Sequence, residues 1–194
     1  MSQEQQVIFW TLFGLCVAQR FFELRISKRN QSELRVKGFT KLEASTAFIA
    51  MCTLHVGWFL AMLLEVNLRS WTVSDFVWQG SVLLFGAGQL LRFWAISSLG
   101  THWNVSVMGS SKKETPFVAA GPYQFIRHPN YLAVVIEFAT LPLIGGALLT
   151  AIIFSILNFV VLYQRIRAEE QQLFAREGYA AVMGKRSRLL PGVW

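Results

Sequence analysis

Apolar residues in this chain come in long blocks separated by short polar segments. Blocks of this kind predict membrane-spanning helices, because about 20 apolar residues are needed to cross a hydrocarbon core of about 30 Å. We predict five spans, at roughly Val7–Phe22, Ala44–Leu64, Val73–Trp94, Tyr131–Ile144 and Ala147–Tyr163. The pattern therefore predicts one domain, an all-α polytopic membrane helix bundle, with three helices in residues 1–96 and the remainder in residues 97–194.

The last two spans lie in one uninterrupted apolar stretch, residues 131–163. As a single helix this stretch would be about 50 Å long, which exceeds the thickness of a bilayer core. Pro142 and the pair Gly145–Gly146 are strong turn signals near its middle. We therefore predict a tight helical hairpin, whose short first arm leaves a tilted or partly re-entrant course open.

Composition and charge agree with a membrane protein. Hydrophobic residues make up 54% of the 194 residues and charged residues 15%, whereas about a quarter of a soluble domain is charged. Of the 18 lysines and arginines, all except Arg69 fall on one face of the five-span topology. This face must be cytoplasmic, so we expect the amino terminus outside and the carboxyl terminus inside. Topology explains the basic surplus without nucleic acid, and we expect contacts with lipid headgroups, including those of the basic tail Lys185–Arg188.

Several polar residues occur within or beside the spans. Cys16 and Cys52 lie inside spans and favour packing roles, and no disulfide or metal framework is expected. For Arg20 and Glu23, interfacial anchoring and charge pairing are favoured over ligand binding. Glu137 lies about two turns into the fourth span, where a carboxylate is costly; a functional role and a structural polar contact are both open.

The cytosolic segments hold the candidate chemistry. The loop between the third and fourth spans exceeds 30 residues, and loops of such length are usually functional or disordered. After Tyr163 the helical pattern continues without a breaker to Gly178. On this extension Arg165, Glu169 and Gln172 share one face, while Arg167 and Glu170 form a second pair. These residues either form surface salt bridges or present a functional face to the loop.

Two motifs flank the hairpin: Gly121-Pro-Tyr-x-x-x-Arg-His-Pro-Asn-Tyr131 before it and Arg165-x-x-x-Glu169-Glu170 after it. The combination resembles the isoprenylcysteine carboxyl methyltransferase family of integral membrane enzymes over about residues 100–190, with a weaker likeness at 20–30. The resemblance implies an S-adenosylmethionine-dependent methyltransferase whose cofactor enters from the cytosol. It implies a prenylated cysteine or similar lipid-like substrate, whose carboxyl group is methylated.

The resemblance also implies site residues, all in the catalytic half. Arg165 corresponds to the family arginine near the substrate carboxylate, and Glu169 suits the ammonium or hydroxyl groups of the cofactor. His128 is expected to hold the cofactor carboxylate or to fix the loop. The cofactor pocket would be lined by Met108, Thr115, Pro116, Phe117, Val118, Tyr123, His128, Pro129, Asn130, Tyr131 and Glu169.

Two other activities remain open, because phospholipid methyltransferases and membrane sterol reductases share this catalytic half. Methylation of a phospholipid amine would need a proton acceptor, for which Glu137 and Glu170 are candidates. A reductase would use NADPH on an unsaturated lipid. Carboxyl methylation needs no base, because a carboxylate is already ionised at neutral pH, so positioning and electrostatics should dominate.

Overall fold

The computed structural model describes residues 1–41, 45–68, 72–109 and 116–190 of the chain. Within these ranges the protein is a bundle of helices with one short antiparallel strand pair. The elements are α1 (Gln3–Val36), β1 (Thr40–Lys41), α2 (Ser45–Leu68), α3 (Asp75–Leu99), β2 (Met108–Gly109), α4 (Pro129–Ile144), α5 (Leu148–Phe174) and α6 (Tyr179–Met183). The predicted all-α membrane helix bundle is confirmed.

Helix α4 is shorter than the four long helices of the bundle. Among the described residues, α1, α2, α3 and α5 are long and apolar enough to cross a membrane. Helix α4 has 16 residues and is therefore about 24 Å long, less than a full core. Its far end nevertheless reaches the beginnings of its neighbours: the indole of Trp78 donates to the Ile144 carbonyl at 3.2 Å, and the ring of Phe9 lies against Gly145.

The predicted hairpin forms at the expected place. Pro142 stands in the last turn of α4, and Gly146 adopts φ 72°, a left-handed conformation that glycine tolerates well. Glu65, near the end of α2, accepts hydrogen bonds from the backbone N–H groups of Leu149 and Thr150 at 2.9 and 2.8 Å. A carboxylate at a helix start satisfies free amides and the helix dipole, so α2 fixes the start of α5.

The centre of the bundle is packed by aromatic rings and small residues. Trp58 and Phe138 are fully buried and stack with ring centroids 4.4 Å apart. A Cβ atom at Gly88 would lie 2.9 Å from the side chain of Ile136. The close approach of α3 and α4 therefore depends on a small residue, as is usual between membrane helices.

At the other end of the bundle α1 and α5 continue beyond the start of α4. Asn30 on α1 donates to the carbonyl of Trp103 at 2.8 Å, and Arg165 on α5 donates to the carbonyl of Val105 at 2.6 Å. The loop after α3 is thus enclosed by both extensions. The basic segments share this end of the molecule, while its assignment to the cytoplasm stays a prediction from charge.

Candidate active site

A cavity of about 380 Å³ lies where the two helix extensions enclose the loop. Pockets for small molecules are typically about 300–1,000 Å³. The wall comes from α1, α2, residues 102–108, residues 117–131, the last turns of α5, and α6. Pairing of β1 with β2 closes one side, with Lys41 opposite Met108. Segments that are far apart in sequence therefore build one chamber.

The turn before α4 depends on a glycine. Gly121 has φ 60°, and a Cβ atom there would overlap the Ser98 hydroxyl oxygen and lie 3.2 Å from the Trp94 indole nitrogen. Pro122 follows in a short 3-10 turn that runs to Gln124. Glycine is therefore required both by the backbone conformation and by the approach of α3.

Tyr131 and Glu169 form a direct link across the cavity wall. The Tyr131 hydroxyl donates to the Glu169 carboxylate at 2.7 Å, and the Tyr131 ring stacks on the ring of His128 at 5.3 Å. Both Tyr131 and Glu169 line the cavity, and the Glu169 side chain keeps 35% of its surface exposed. A hydrogen-bonded carboxylate is thus presented to the chamber from α5.

Glu170, the next residue, points about 100° away from Glu169 around the helix. Its carboxylate accepts from Arg188 at 2.9 Å and lies 3.1 Å from Arg127. The Nε2 atom of His128 lies at 3.2 Å. The expected pair of Arg167 with Glu170 is wrong, because Arg167 donates instead to Tyr163. His128 is thus tied to α5, in agreement with the loop-fixing alternative for this residue.

The basic tail is part of the site's frame. The N–H groups of Arg127 and His128 donate to the carbonyls of Ser187 and Arg188 at 3.0 and 2.9 Å, and Arg186 donates to the Tyr123 carbonyl at 2.5 Å. The side chains of Arg186 and Arg188 thus have protein partners in Tyr123 and Glu170, while contact of Lys185–Arg188 with headgroups stays a prediction. The two arginine side chains hold the segment leading into α4, a tertiary role that charge alone does not reveal.

Arg165 is buried at the boundary between α5 and the loop. Its guanidinium donates to the Val105 carbonyl at 2.6 Å and to the Met51 sulfur at 2.8 Å. It also lies 6.0 Å from the centre of the Tyr131 ring. A planar guanidinium held in this way has a fixed orientation beside the cavity, which it lines.

Two tyrosines complete the wall of the cavity. Burial, with a smaller contribution from Glu169, raises the pKa of Tyr123 well above its ordinary value. Burial similarly raises the pKa of Tyr179 to about 12. Both hydroxyls are therefore protonated at neutral pH and can donate hydrogen bonds. The Tyr179 ring contacts Phe117 and Phe174 edge-on, at 5.1 and 5.2 Å, which docks α6 against the loop.

The structure contains an ionic cluster that was not predicted from the sequence. Arg20 contacts both Glu23 and Glu137, at 2.9 and 2.6 Å, and Arg92 binds Glu23 with two hydrogen bonds of 2.6 and 2.7 Å. The Cys16 thiol donates to Glu137 at 2.7 Å. Glu137 is thus a structural polar contact. Arg20, Glu23 and Arg92 line the cavity. The only sign of this cluster in the sequence was that the three residues lie at similar depths on neighbouring helices.

Most residues predicted for the site lie around this one cavity. Those that line it are Met108, Phe117, Val118, Tyr123, His128, Asn130, Tyr131, Arg165 and Glu169. Pro116 instead offers its carbonyl to Arg176 at 3.2 Å, and buried Pro129 begins α4. Thr115 lies outside the described residues. The sequence reading also missed Trp103, Asn104 and Arg176, which line the cavity from segments without a recognisable motif.

Comparisons with known proteins agree with this architecture. The model of the isoprenylcysteine carboxyl methyltransferase family matches residues 81–175. The uncharacterized protein YpbQ of Bacillus subtilis (strain 168) is 33% identical over 166 residues, covering 86% of this chain and 96% of the relative. An uncharacterized protein of Haemophilus influenzae (strain ATCC 51907 / DSM 11121 / KW20 / Rd) is 28% identical over 167 residues, covering 83% and 92%.

A solved structure shares the fold. The eukaryotic intramembrane Ras methyltransferase ICMT superposes with a TM-score of 0.56 at 19% identity, over 78% of this chain and 55% of that one. The chain thus spans little more than half the length of this structural neighbour. Fold and cavity together define an integral membrane helix bundle with a chamber at one end. The protein belongs to the isoprenylcysteine carboxyl methyltransferase family.

Proposed function

We propose that this protein is an S-adenosylmethionine-dependent methyltransferase that esterifies the carboxyl group of a lipid-like substrate, such as a prenylated cysteine. The observation that carries the proposal is the cavity in which Arg165 and Glu169 meet the loop before α4. It combines a buried guanidinium, a partly exposed carboxylate and a nucleoside-sized volume. Those features match a cationic cofactor beside an anionic substrate.

The residues present fit the cofactor. The buried polar atoms on cavity-lining residues that have no hydrogen-bond partner among the described residues include Trp103 Nε1, Asn104 Oδ1 and Asn130 Oδ1. Buried polar atoms are usually paired, so these atoms favour a polar ligand. We assign cofactor binding to Met108, Thr115, Pro116, Phe117, Val118, Tyr123, His128, Pro129, Asn130, Tyr131 and Glu169, with Pro116 and Pro129 shaping the wall. Thr115 is included only because the sequence motif predicts it.

Bound S-adenosylmethionine would supply an electrophilic methyl group on a sulfonium. The chain's own residues would orient and desolvate the reacting groups. We assign Arg165 to gripping the substrate carboxylate, because its fork of donors suits two oxygens at once. Glu169, oriented by Tyr131, would bind the ammonium or hydroxyl groups of the cofactor. No general base is needed for this reaction.

The placement of the other carboxylates favours ester formation over amine methylation. Glu137 and Glu170 are the candidate proton acceptors for an amine substrate. Both are buried in contacts with arginines, namely Arg20 for Glu137 and Arg127 and Arg188 for Glu170. Neither is among the described residues that line the cavity.

The apolar wall suits a lipid tail. Phe21 and Leu24 on α1 and Val56 on α2 line the cavity, and their side chains are also exposed on the outside of the bundle. In a bilayer this exposed surface faces acyl chains. A substrate with a hydrophobic tail would therefore place its tail between α1 and α2 and its carboxylate toward Arg165.

The activity is tested with purified protein in lipid nanodiscs, S-adenosyl-L-[methyl-³H]methionine and N-acetyl-S-farnesylcysteine. We expect label in the lipid product, released as methanol by mild base because methyl esters hydrolyse. Label that resists base on phosphatidylethanolamine would identify amine methylation instead. Tight binding of NADPH without binding of S-adenosylhomocysteine would favour a reductase and overturn the proposal.

Arg165→Ala tests the assigned role of the guanidinium. We expect turnover to fall below detection while S-adenosylhomocysteine binds within about threefold of wild type, because the lost group serves the substrate. Arg165→Lys should rescue poorly, since an ammonium lacks the planar fork. Unchanged turnover of Arg165→Ala would contradict the assignment.

A further inference from the structure

A stripe of polar residues is buried on the extension of α1 beyond the start of α4. Glu23, Ser27 and Asn30 follow one another at helical spacing on one face, and each is at least 95% buried. A surface helix normally buries apolar residues on its inner face. Polar side chains buried there instead are expected to have specific partners.

The partners of this stripe lie on α3 and on the loop that follows it. Glu23 binds Arg92 of α3, which fixes the rotation of α1. Asn30 donates to the carbonyls of Gly100 and Trp103 at 3.2 and 2.8 Å. The Ser27 hydroxyl accepts the Val105 N–H at 3.0 Å. One helix face thus holds three points along residues 100–105.

Val105 connects this stripe to Arg165, the residue proposed to bind the substrate carboxylate. Its N–H is bound by Ser27 on α1, and its carbonyl is bound by Arg165 on α5 at 2.6 Å. Moving Val105 would move the acceptor that orients the guanidinium. The Arg165 guanidinium has little room to move, because it also lies 2.8 Å from the Met51 sulfur.

We infer that Ser27 and Asn30 are positioning residues that set the carboxylate specificity of Arg165 through the backbone of Val105. The inference rests on the proposed function, because it deepens the role of the same site. It gives the α1 extension a task in substrate selection. It also predicts that substituting Ser27 or Asn30, which do not touch the ligand, alters the recognition of the substrate carboxylate. Binding of the lipid tail should stay intact.

The test compares two ligands that differ only at the carboxyl group, N-acetyl-S-farnesylcysteine and its uncharged carboxamide. Their dissociation constants are measured by calorimetry on detergent-solubilised protein, with and without S-adenosylhomocysteine. We expect Ser27→Ala to weaken carboxylate binding about fivefold to tenfold, as expected for loss of the hydrogen bond from the Val105 N–H. The second donor to this hydroxyl, the Gln31 side-chain amide, lies on α1 itself. Carboxamide and S-adenosylhomocysteine binding should change less than about twofold. Ser27→Thr, which keeps the hydroxyl, should restore the carboxylate preference.

A double-mutant cycle separates positioning from general destabilisation. In an Arg165→Gln background, Ser27→Ala should have almost no further effect on carboxylate binding, because the oriented group is gone. Ser32→Ala is the matched control, since Ser32 is exposed on the same helix and its hydroxyl donates to the carbonyl of Arg29. It should leave both ligands unaffected. Asn30→Ala should reproduce the loss of carboxylate preference.

The inference would be overturned if Ser27→Ala weakened both ligands equally, or if its full effect persisted without Arg165. A wild-type protein that bound neither ligand, or both equally well, would overturn it as well. A protein that preferred the carboxylate but bound no S-adenosylhomocysteine and transferred no methyl group would support the inference. That same result would refute the proposed function, so the two failures are distinguishable.

Discussion

Glu137 gives a quantitative test of the buried ionic cluster. Its carboxylate receives two hydrogen bonds from Arg20, at 2.6 and 2.8 Å, and its side chain is 98% buried. The cluster of Arg20, Arg92, Glu23 and Glu137 is neutral as a whole. Glu137→Leu leaves one arginine in excess in a low-dielectric interior, and breaking a buried pair in this way costs about 3–5 kcal/mol.

The compensating variant makes the prediction specific. Arg20→Met combined with Glu137→Leu removes one charge of each sign and leaves Arg92 bound to Glu23 by two hydrogen bonds. Replacement of a whole buried pair by apolar residues is often neutral or stabilising. We therefore expect the double variant to be more stable than Glu137→Leu alone, although it carries more substitutions.

Thermal unfolding in detergent, followed by circular dichroism, measures both effects. A loss of about 3–5 kcal/mol corresponds to a fall in Tm on the order of 10 °C for a chain of this size. Glu33→Leu is the control, because Glu33 forms an exposed pair with Arg29 at 3.9 Å and such pairs contribute about 0–1 kcal/mol. The reasoning is refuted if Glu137→Leu costs no more than Glu33→Leu, or if the double variant is the least stable.

Three further changes probe the site and its frame. Tyr131→Phe removes the 2.7 Å hydrogen bond to Glu169 and should weaken S-adenosylhomocysteine binding about tenfold, measured by calorimetry. Arg188→Gln removes an ion pair with Glu170 and should speed cleavage of the tail by proteinase K, whose specificity does not depend on basic residues, and lower Tm. Gly121→Ala introduces a Cβ atom that overlaps the Ser98 hydroxyl oxygen, at a residue with φ 60°, so we expect a loss of stability of about 1–3 kcal/mol or more.

Matched controls exist for all three. Tyr163→Phe removes an aromatic hydroxyl that lies outside the cavity wall as described and should leave S-adenosylhomocysteine binding unchanged. Lys185→Gln removes an exposed charge of the tail and should not alter cleavage of the folded segment. Gly100 also has positive φ but open space around it, so Gly100→Ala should cost less than Gly121→Ala. Equal effects in any matched pair would contradict the corresponding explanation.

The helices were predictable because their signals are local. Apolar blocks of membrane length identified the spans, and Pro142 with Gly145–Gly146 placed the hairpin turn where it is found. The continuation of α5 beyond the predicted span followed from the lack of a breaker after Tyr163. The fourth helix was harder, because length alone does not show how deep its ends lie. Contacts of Trp78 and Phe9 with the turn supply that information.

The frame around the cavity was not predictable, since its contacts join distant segments. Residues 186–188 bind the segment before α4, and β1 pairs with β2 across more than 60 residues. Glu137 illustrates the same limit. Its partners Arg20 and Arg92 were visible in the sequence, but only the packing of α1, α3 and α4 brings them together. A motif can indicate which residues matter without indicating what holds them.

Adjacent Glu169 and Glu170 show why residue type and motif membership do not assign roles. Successive residues on an α-helix point about 100° apart. Glu169 consequently faces the cavity, where it accepts the Tyr131 hydroxyl, while Glu170 faces the tail and binds Arg188. A carboxylate bound by arginines is a weak proton acceptor, whereas one that faces a chamber can hold a cation. The direction of each side chain, set by one step along α5, therefore separates a binding group from a structural one and favours carboxyl over amine methylation.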